Sequence, residues 1–186
     1  VGENIVCAVG NFNDGGDTPF SVTDNASTPN TYTADGSNYL DNTNTTGNYQ
    51  LFTSFSITHS PSTSTFSVTG ATQNQPIIDC ITYTGGTGAV DGTPGHATVG
   101  SGSTSVTATI NPTGSADLAF GLGSITGNFT FTAGSSFTLI GGIVGSSSSF
   151  KSEAEYQVLS SSGSQNCPIT YSSSTPAAAI LCGTFK

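Results

Sequence analysis

Apolar and polar residues alternate with a period of two along most of this chain. Tyr49, Leu51, Thr53, Phe55 and Ile57 share one parity, and Phe52, Ser54, Ser56 and Thr58 share the other. The pattern returns at Phe66 and Val68, at Val106, Ala108 and Ile110, at Leu118, Phe120 and Leu122, at Phe129 and Phe131, and at Phe137 and Leu139. A helix repeats every 3.6 residues and a strand every two, so these runs predict strands with one face turned inward. Gly, Pro, Asn, Asp and Ser clusters bound each run and supply turns. Ser152–Leu159 alternates too regularly to be a helix. Ile5–Val9, Ile77–Tyr83 and Ala177–Phe185 are apolar at both parities and predict central strands covered on two faces. The expected fold is all-β: about a dozen short, mostly antiparallel strands in a β-sandwich. No repeat or change of composition divides residues 1–186, which read as one domain.

Composition narrows the function. Ser, Thr and Gly number 28, 30 and 24 among 186 residues, whereas charged residues make up 7%. β-branched Thr suits an exposed strand face, so it stands where Lys or Glu would be usual. Two Lys, no Arg and a net charge of −9 cannot neutralise a phosphate backbone or an anionic membrane surface. A hydrophobic share of 34% with few charges argues for a packed chain rather than disorder. The sequence starts at Val1 and contains no Met, which leads us to expect a removed signal sequence and a secreted or cell-surface location. It also lacks an apolar run of about 18 residues, so membrane insertion is not expected.

Three stretches carry a resemblance: Ser21–Thr33 (SVTDNASTPNTYT), Ser152–Ser160 (SEAEYQVLS) and the closing Ala177–Phe185. They resemble secreted, Ser/Thr-rich β-sandwich domains of microbial surface and filament proteins. The resemblance implies a jelly-roll-like sandwich and a surface or appendage role, and it carries no catalytic residues. Such domains place one or two further strands before the segment matching Gly2–Asn11. By that likeness the protomer lacks an edge strand, and residues 1–12 are a candidate donor strand to a neighbouring subunit.

Cys7, Cys80, Cys167 and Cys182 form an even set without metal-like spacing, as expected of disulfides in a secreted chain. A hairpin folded between Ser174 and Thr175 would pair Ile169 with Ile180 and set Cys167 opposite Cys182. Cys7 and Cys80 then pair by elimination, unless Cys7 bridges to another subunit. Asn25, Asn44 and Asn128 each begin an N-x-[ST] glycan acceptor triplet. Ser146–Ser149 and Ser160–Ser164 would accept O-linked sugars.

Other residues suggest chemistry more weakly. Asp14, Asp17, Asp24, Asp35 and Asp41 could offer oxygen ligands to Ca²⁺, but Asx-turns account for the same residues and no cofactor is expected. Glu153 and Glu155 share a strand face; with Asp117 they are the only basis for a glycosidase-like pair, and a solvated face is the expected reading. His59 and His96 read as loop residues. An intramolecular isopeptide bond needs a buried lysine, and neither Lys151, placed in a Ser-rich loop, nor Lys186 promises one. The sequence therefore suggests an extracellular structural subunit, partnered by copies of itself in a head-to-tail fibre built by strand complementation and decorated with glycans. A carbohydrate-binding or adhesin module using Tyr32, Tyr39 and Tyr49 is the alternative. A catalytic role is not expected.

Overall fold

The computed structural model describes residues 2–11, 19–41, 43, 45, 47–58, 65–69, 76–141, 144–147, 150–174 and 176–186. Among these no helix occurs. The strands are β1 (Asn4–Asn11), β2 (Ser21–Asp24), β3 (Thr33–Asp41), β4 (Gly47–Ser54), β5 (Phe66–Thr69), β6 (Pro76–Tyr83), β7 (Gly95–Val99) and β8 (Ser105–Ile110). They continue with β9 (Leu118–Thr126), β10 (Phe131–Ala133), β11 (Thr138–Leu139), β12 (Val144–Ser147), β13 (Phe150–Val158), β14 (Gln165–Tyr171) and β15 (Ala178–Phe185). The pairings are antiparallel.

Side-chain parity sorts the strands into stacked layers. Ile5, Cys7 and Val9 of β1 pack with Val22, Phe66 and Val68 of the β2–β5 ribbon. Val6 and Ala8, on the other face of β1, pack with Phe120 and Leu122 of β9. The next parity of β9, Ala119 and Ile125, packs with Val106, Ala108 and Ile169 of the outer sheet. The order of layers is thus the β2–β5 ribbon, then β3-β4-β1-β6, then β11-β13-β9-β15-β7, then β10-β14-β8. This is a β-sandwich widened by outer layers; the strand orders describe it better than a jelly-roll label. Both faces of the two inner sheets are covered, so β1, β4 and β15 are buried at every residue.

Three expectations change here. Residues 4–11 of the candidate donor segment lie in the centre of the chain's own sheet, between β4 and β6; Val1 and Phe12 fall outside the described residues. Ile77–Tyr83 is covered on both faces as expected, with Ile77 and Ile81 toward one core and Ile78 and Cys80 toward the other. It is nonetheless not central: among the described residues β6 pairs with β1 alone. Finally, β14 and β15 do not form a hairpin. β14 pairs with β8 and β10, and β15 with β9 and β7. The physical reason is their burial: β14 is buried at Cys167, Ile169 and Tyr171 with exposed or half-buried residues between, whereas β15 is apolar throughout. A strand with one wet face belongs outside, and one with two dry faces belongs inside.

Candidate functional site

The four cysteines form two disulfides, Cys7–Cys80 and Cys167–Cys182. Their geometry reverses the reasoning that suggested them. Cys7 and Cys80 are the directly opposed cross-strand pair, on β1 and β6 with Cα atoms 4.0 Å apart. Cys167 and Cys182 instead tie the outer sheet to the inner one, with Cα atoms 6.5 Å apart. Gly121 of β9 makes room there, since a Cβ would stand 2.9 Å from Cys167 Sγ. Of the glycan acceptors, Asn25 and Asn128 are exposed in loops, and Asn44 lies outside the described residues.

The early acids are built into loops. Asp14 and Asp17 lie outside the described residues. Asp24 accepts from Ala26 N at 3.1 Å, Asn30 Nδ2 at 2.6 Å and the Tyr32 hydroxyl at 2.9 Å. Burial pushes its carboxyl up, but the hydrogen bonds outweigh that and hold it below the usual range. Asp41 accepts from Thr43 N, Thr45 N, Thr45 Oγ1 and Thr98 Oγ1 at 2.7–3.0 Å. Lone pairs of Asp24 and Asp41 that face N–H and O–H donors are not offered to a cation. Asp35 is buried between the inner sheets, and burial pushes it up to about 6. Among the described residues no group of three or more His, Cys, Asp or Glu could hold a metal.

Glu153 and Glu155 are not on a solvated face. β13 is an inner strand, and both carboxyls are buried on the side facing the outer sheet. Glu155 accepts from Gly134 N at 2.9 Å, and burial pushes it up to about 7 despite that bond. Neither glutamate lines the groove described below, and Asp117 is engaged elsewhere in a cluster with Asp91. Lys151, expected in a loop, is buried in β13 with its ammonium 5.8 Å from the Phe131 ring centroid. His96, also expected in a loop, sits in β7 and stacks on Tyr39 at 3.9 Å. His59 lies outside the described residues. Tyr49 is buried and meets Thr45 Oγ1 at 2.9 Å, so it offers no platform to a sugar. Tyr39 stacks on Tyr49 and His96, and Tyr32 is held by Asp24 and the Phe66 edge.

One feature remains open. A groove of about 590 Å³ runs between the inner sheets beside β6. Ile81 and Tyr83 form one wall; Leu118, Leu139, Tyr156 and Val158 form the other. Among the described residues no charged side chain lines it. Val158, at 62% exposure, is the exposed large hydrophobic side chain among the described residues. The groove is therefore the unfilled margin of the core between β6 and β13. Alternation in the sequence indicated its apolar walls, but whether β6 had a second neighbour was not readable.

Along the open side of β6 the hydrogen-bonding geometry is fixed. The short Cα separation at Cys7–Cys80 marks a non-hydrogen-bonded pair. The N–H groups of Ile78, Cys80 and Thr82 consequently point away from β1, and that of Cys80 is met by the carboxyl of Asp79. Among the described residues no strand pairs with that side. β3, at the opposite end of the same sheet, is guarded instead: its register shifts between Asp35 and Tyr39. β6 carries no lysine, and its one proline stands at its first residue.

No protein-family model matches the chain, and no curated protein or solved structure does so either.

Proposed function

We propose that the chain is an extracellular structural subunit that assembles head to tail with copies of itself into a surface fibre. The observation that carries this reading is the edge of β6, with which no strand other than β1 pairs among the described residues, and the apolar groove beside it. An extended segment of a neighbouring copy laid along β6 would pair with the outward N–H and C=O groups of Ile78 and Thr82 and cover Val158. Such a contact joins unlike surfaces and does not close, so it propagates. Copies that each carry a net charge of −9 repel one another, and a groove without charges is where they meet at least cost. Two disulfides and exposed acceptor asparagines fit an oxidising, glycan-bearing exterior. The adhesin reading gains nothing from the tyrosines, whose rings are committed to internal contacts.

Thr82→Pro tests the proposal. It deletes an outward N–H and leaves the β1–β6 ladder untouched. The side chain it replaces is exposed. Light scattering on the two chains at matched concentration reads the outcome. The expected result is loss of self-association with the melting temperature unchanged; assembly at the wild-type concentration would rule out β6 as the acceptor.

A further inference from the structure

β6 carries a single charged residue, Asp79, in the middle of the strand. Edge strands are commonly kept from pairing by a charged side chain that points inward from them. Asp79 is so placed. It shares the parity of Ile77 and Ile81, which face the inner core, and is the next inward position along β6 from the groove wall at Ile81. Its own N–H and C=O turn to Ala8 of β1, because Cys7–Cys80, one step on, is the non-hydrogen-bonded pair. Its carboxyl reaches to the open side instead and accepts the outward N–H of Cys80. The N–H midway between those of Ile78 and Thr82 is therefore held by the strand's own side chain.

Asp79 is half-buried, and among the described residues no cation pairs with it: Lys186 is bound to Asp91, and Lys151 lies over the Phe131 ring. The strands packed against β6 are β1, β5, β12 and β13. The first three carry no charged residue. β13 brings Lys151, Glu153, Glu155 and Tyr156, and Tyr83 ends β6 itself. Of these, Glu153 is the one whose charge bears on Asp79. Burial pushes the Asp79 carboxyl up to about 6, the Cys80 N–H draws it back, and Glu153 adds to the rise. Asp79 thus changes charge in mildly acid solution, on the strand where a neighbouring copy would lie.

We propose, on the reading that β6 is the acceptor edge, that Asp79 gates it by a proton: the carboxylate holds the Cys80 N–H and bars a neighbour's strand, and the acid form releases that N–H to the neighbour's carbonyl. A carboxylate binds an N–H more strongly than a neutral acid does. The acid form also gains an O–H to donate to the incoming backbone. Covering the ionised form with a strand would bury a charge without a partner, and the strand would come from a copy that is itself at −9. Only the protonated fraction is competent to pair, so assembly is favoured as pH falls through about 6. Each pH unit above that value cuts the competent fraction about tenfold, and between pH 5 and pH 8 the concentration needed for assembly rises about a hundredfold.

Light scattering against concentration, at steps from pH 5 to pH 8, tests the gate on the wild-type, Asp79→Asn, Asp79→Ala and Thr82→Pro chains. The expected result is the hundredfold rise in the wild type and none in either Asp79 chain, both of which assemble at pH 8 at the concentration the wild type needs at pH 5. A rise that persists in both Asp79 chains would overturn the gate and leave β6 as the acceptor. Assembly of Thr82→Pro equal to the wild type at pH 5, or of no chain at any pH, would overturn the edge reading and the gate with it.

Discussion

Ser56 shows how one residue can end a period of two. Its φ of 52° lies in the left-handed region, and its N–H donates to Asn4 Oδ1 at 2.9 Å. Beyond it the chain turns over, so Phe55 packs toward the inner core and Ile57 toward the ribbon, although the sequence gives them one parity. Alternation could not show this, because the hydrogen bond comes from a residue 52 positions away. Glu155 is a similar case. Alternation with Ala154 and Tyr156 made it look wet, and its partner, the N–H of Gly134, carries no side-chain signal at all. Its carboxyl is raised in the folded chain from 4.5 to about 7, so the folded state binds the extra proton between those values. Stability from this group is complete below pH 4.5 and is lost as pH rises to about 7, to the extent of about 3 kcal/mol. Asp35 and Asp79, both raised to about 6 chiefly by burial, act in the same sense from 3.8 upward. Asp24 and Asp91 act oppositely and lose their contribution as pH falls below the usual carboxylate range. The chain should therefore melt at a higher temperature near pH 4.5 than at pH 8. Glu155→Gln, which keeps an acceptor for Gly134, should flatten that slope and exceed the wild type above pH 7. Calorimetry across this range that found equal slopes would show Glu155 ionised at no cost.

Whether a strand is covered and whether it is paired are separate questions at the scale of elements, and the sequence answers the first far better. Ala177–Phe185 reads as an inner strand and is one. Ile77–Tyr83 reads the same way because both its faces meet apolar layers, yet among the described residues it ends its sheet. Hydrogen-bonding neighbours leave no mark on side-chain polarity, so the free edge was invisible until the strand order was known. The β14–β15 pairing failed for a related reason: proximity in sequence suggested a hairpin, while the unequal burial of the two strands sends them to different layers. The disulfides have different tasks in consequence, one clamping β6 to β1 and the other joining two sheets. They close loops of 73 and 15 residues. Loop entropy assigns about 4 kcal/mol to the first and about 3 kcal/mol to the second. Urea unfolding of Cys7→Ser/Cys80→Ser should accordingly show the larger loss, with Cys167→Ser/Cys182→Ser second. The reverse order would mean that sheet-to-sheet tethering outweighs loop closure here.

For the molecule as a whole, scarcity of charge and surplus of layers belong together. Four stacked layers bury both faces of two sheets, so few positions need charge and Thr can serve on the outer strands. The same scarcity leaves β6 without the lysines that usually keep an edge to itself. On our reading that edge is the route by which copies join, and the groove beside it takes the neighbour's side chains. Low charge was plain in the sequence; where it matters could be found only from the strand order. Electron microscopy of the purified wild-type chain, imaged across rising protein concentration, tests this most directly. The account predicts unbranched fibres of repeating subunits that lengthen with concentration. Single particles of one chain each, unchanged at the highest concentration reached, would contradict it.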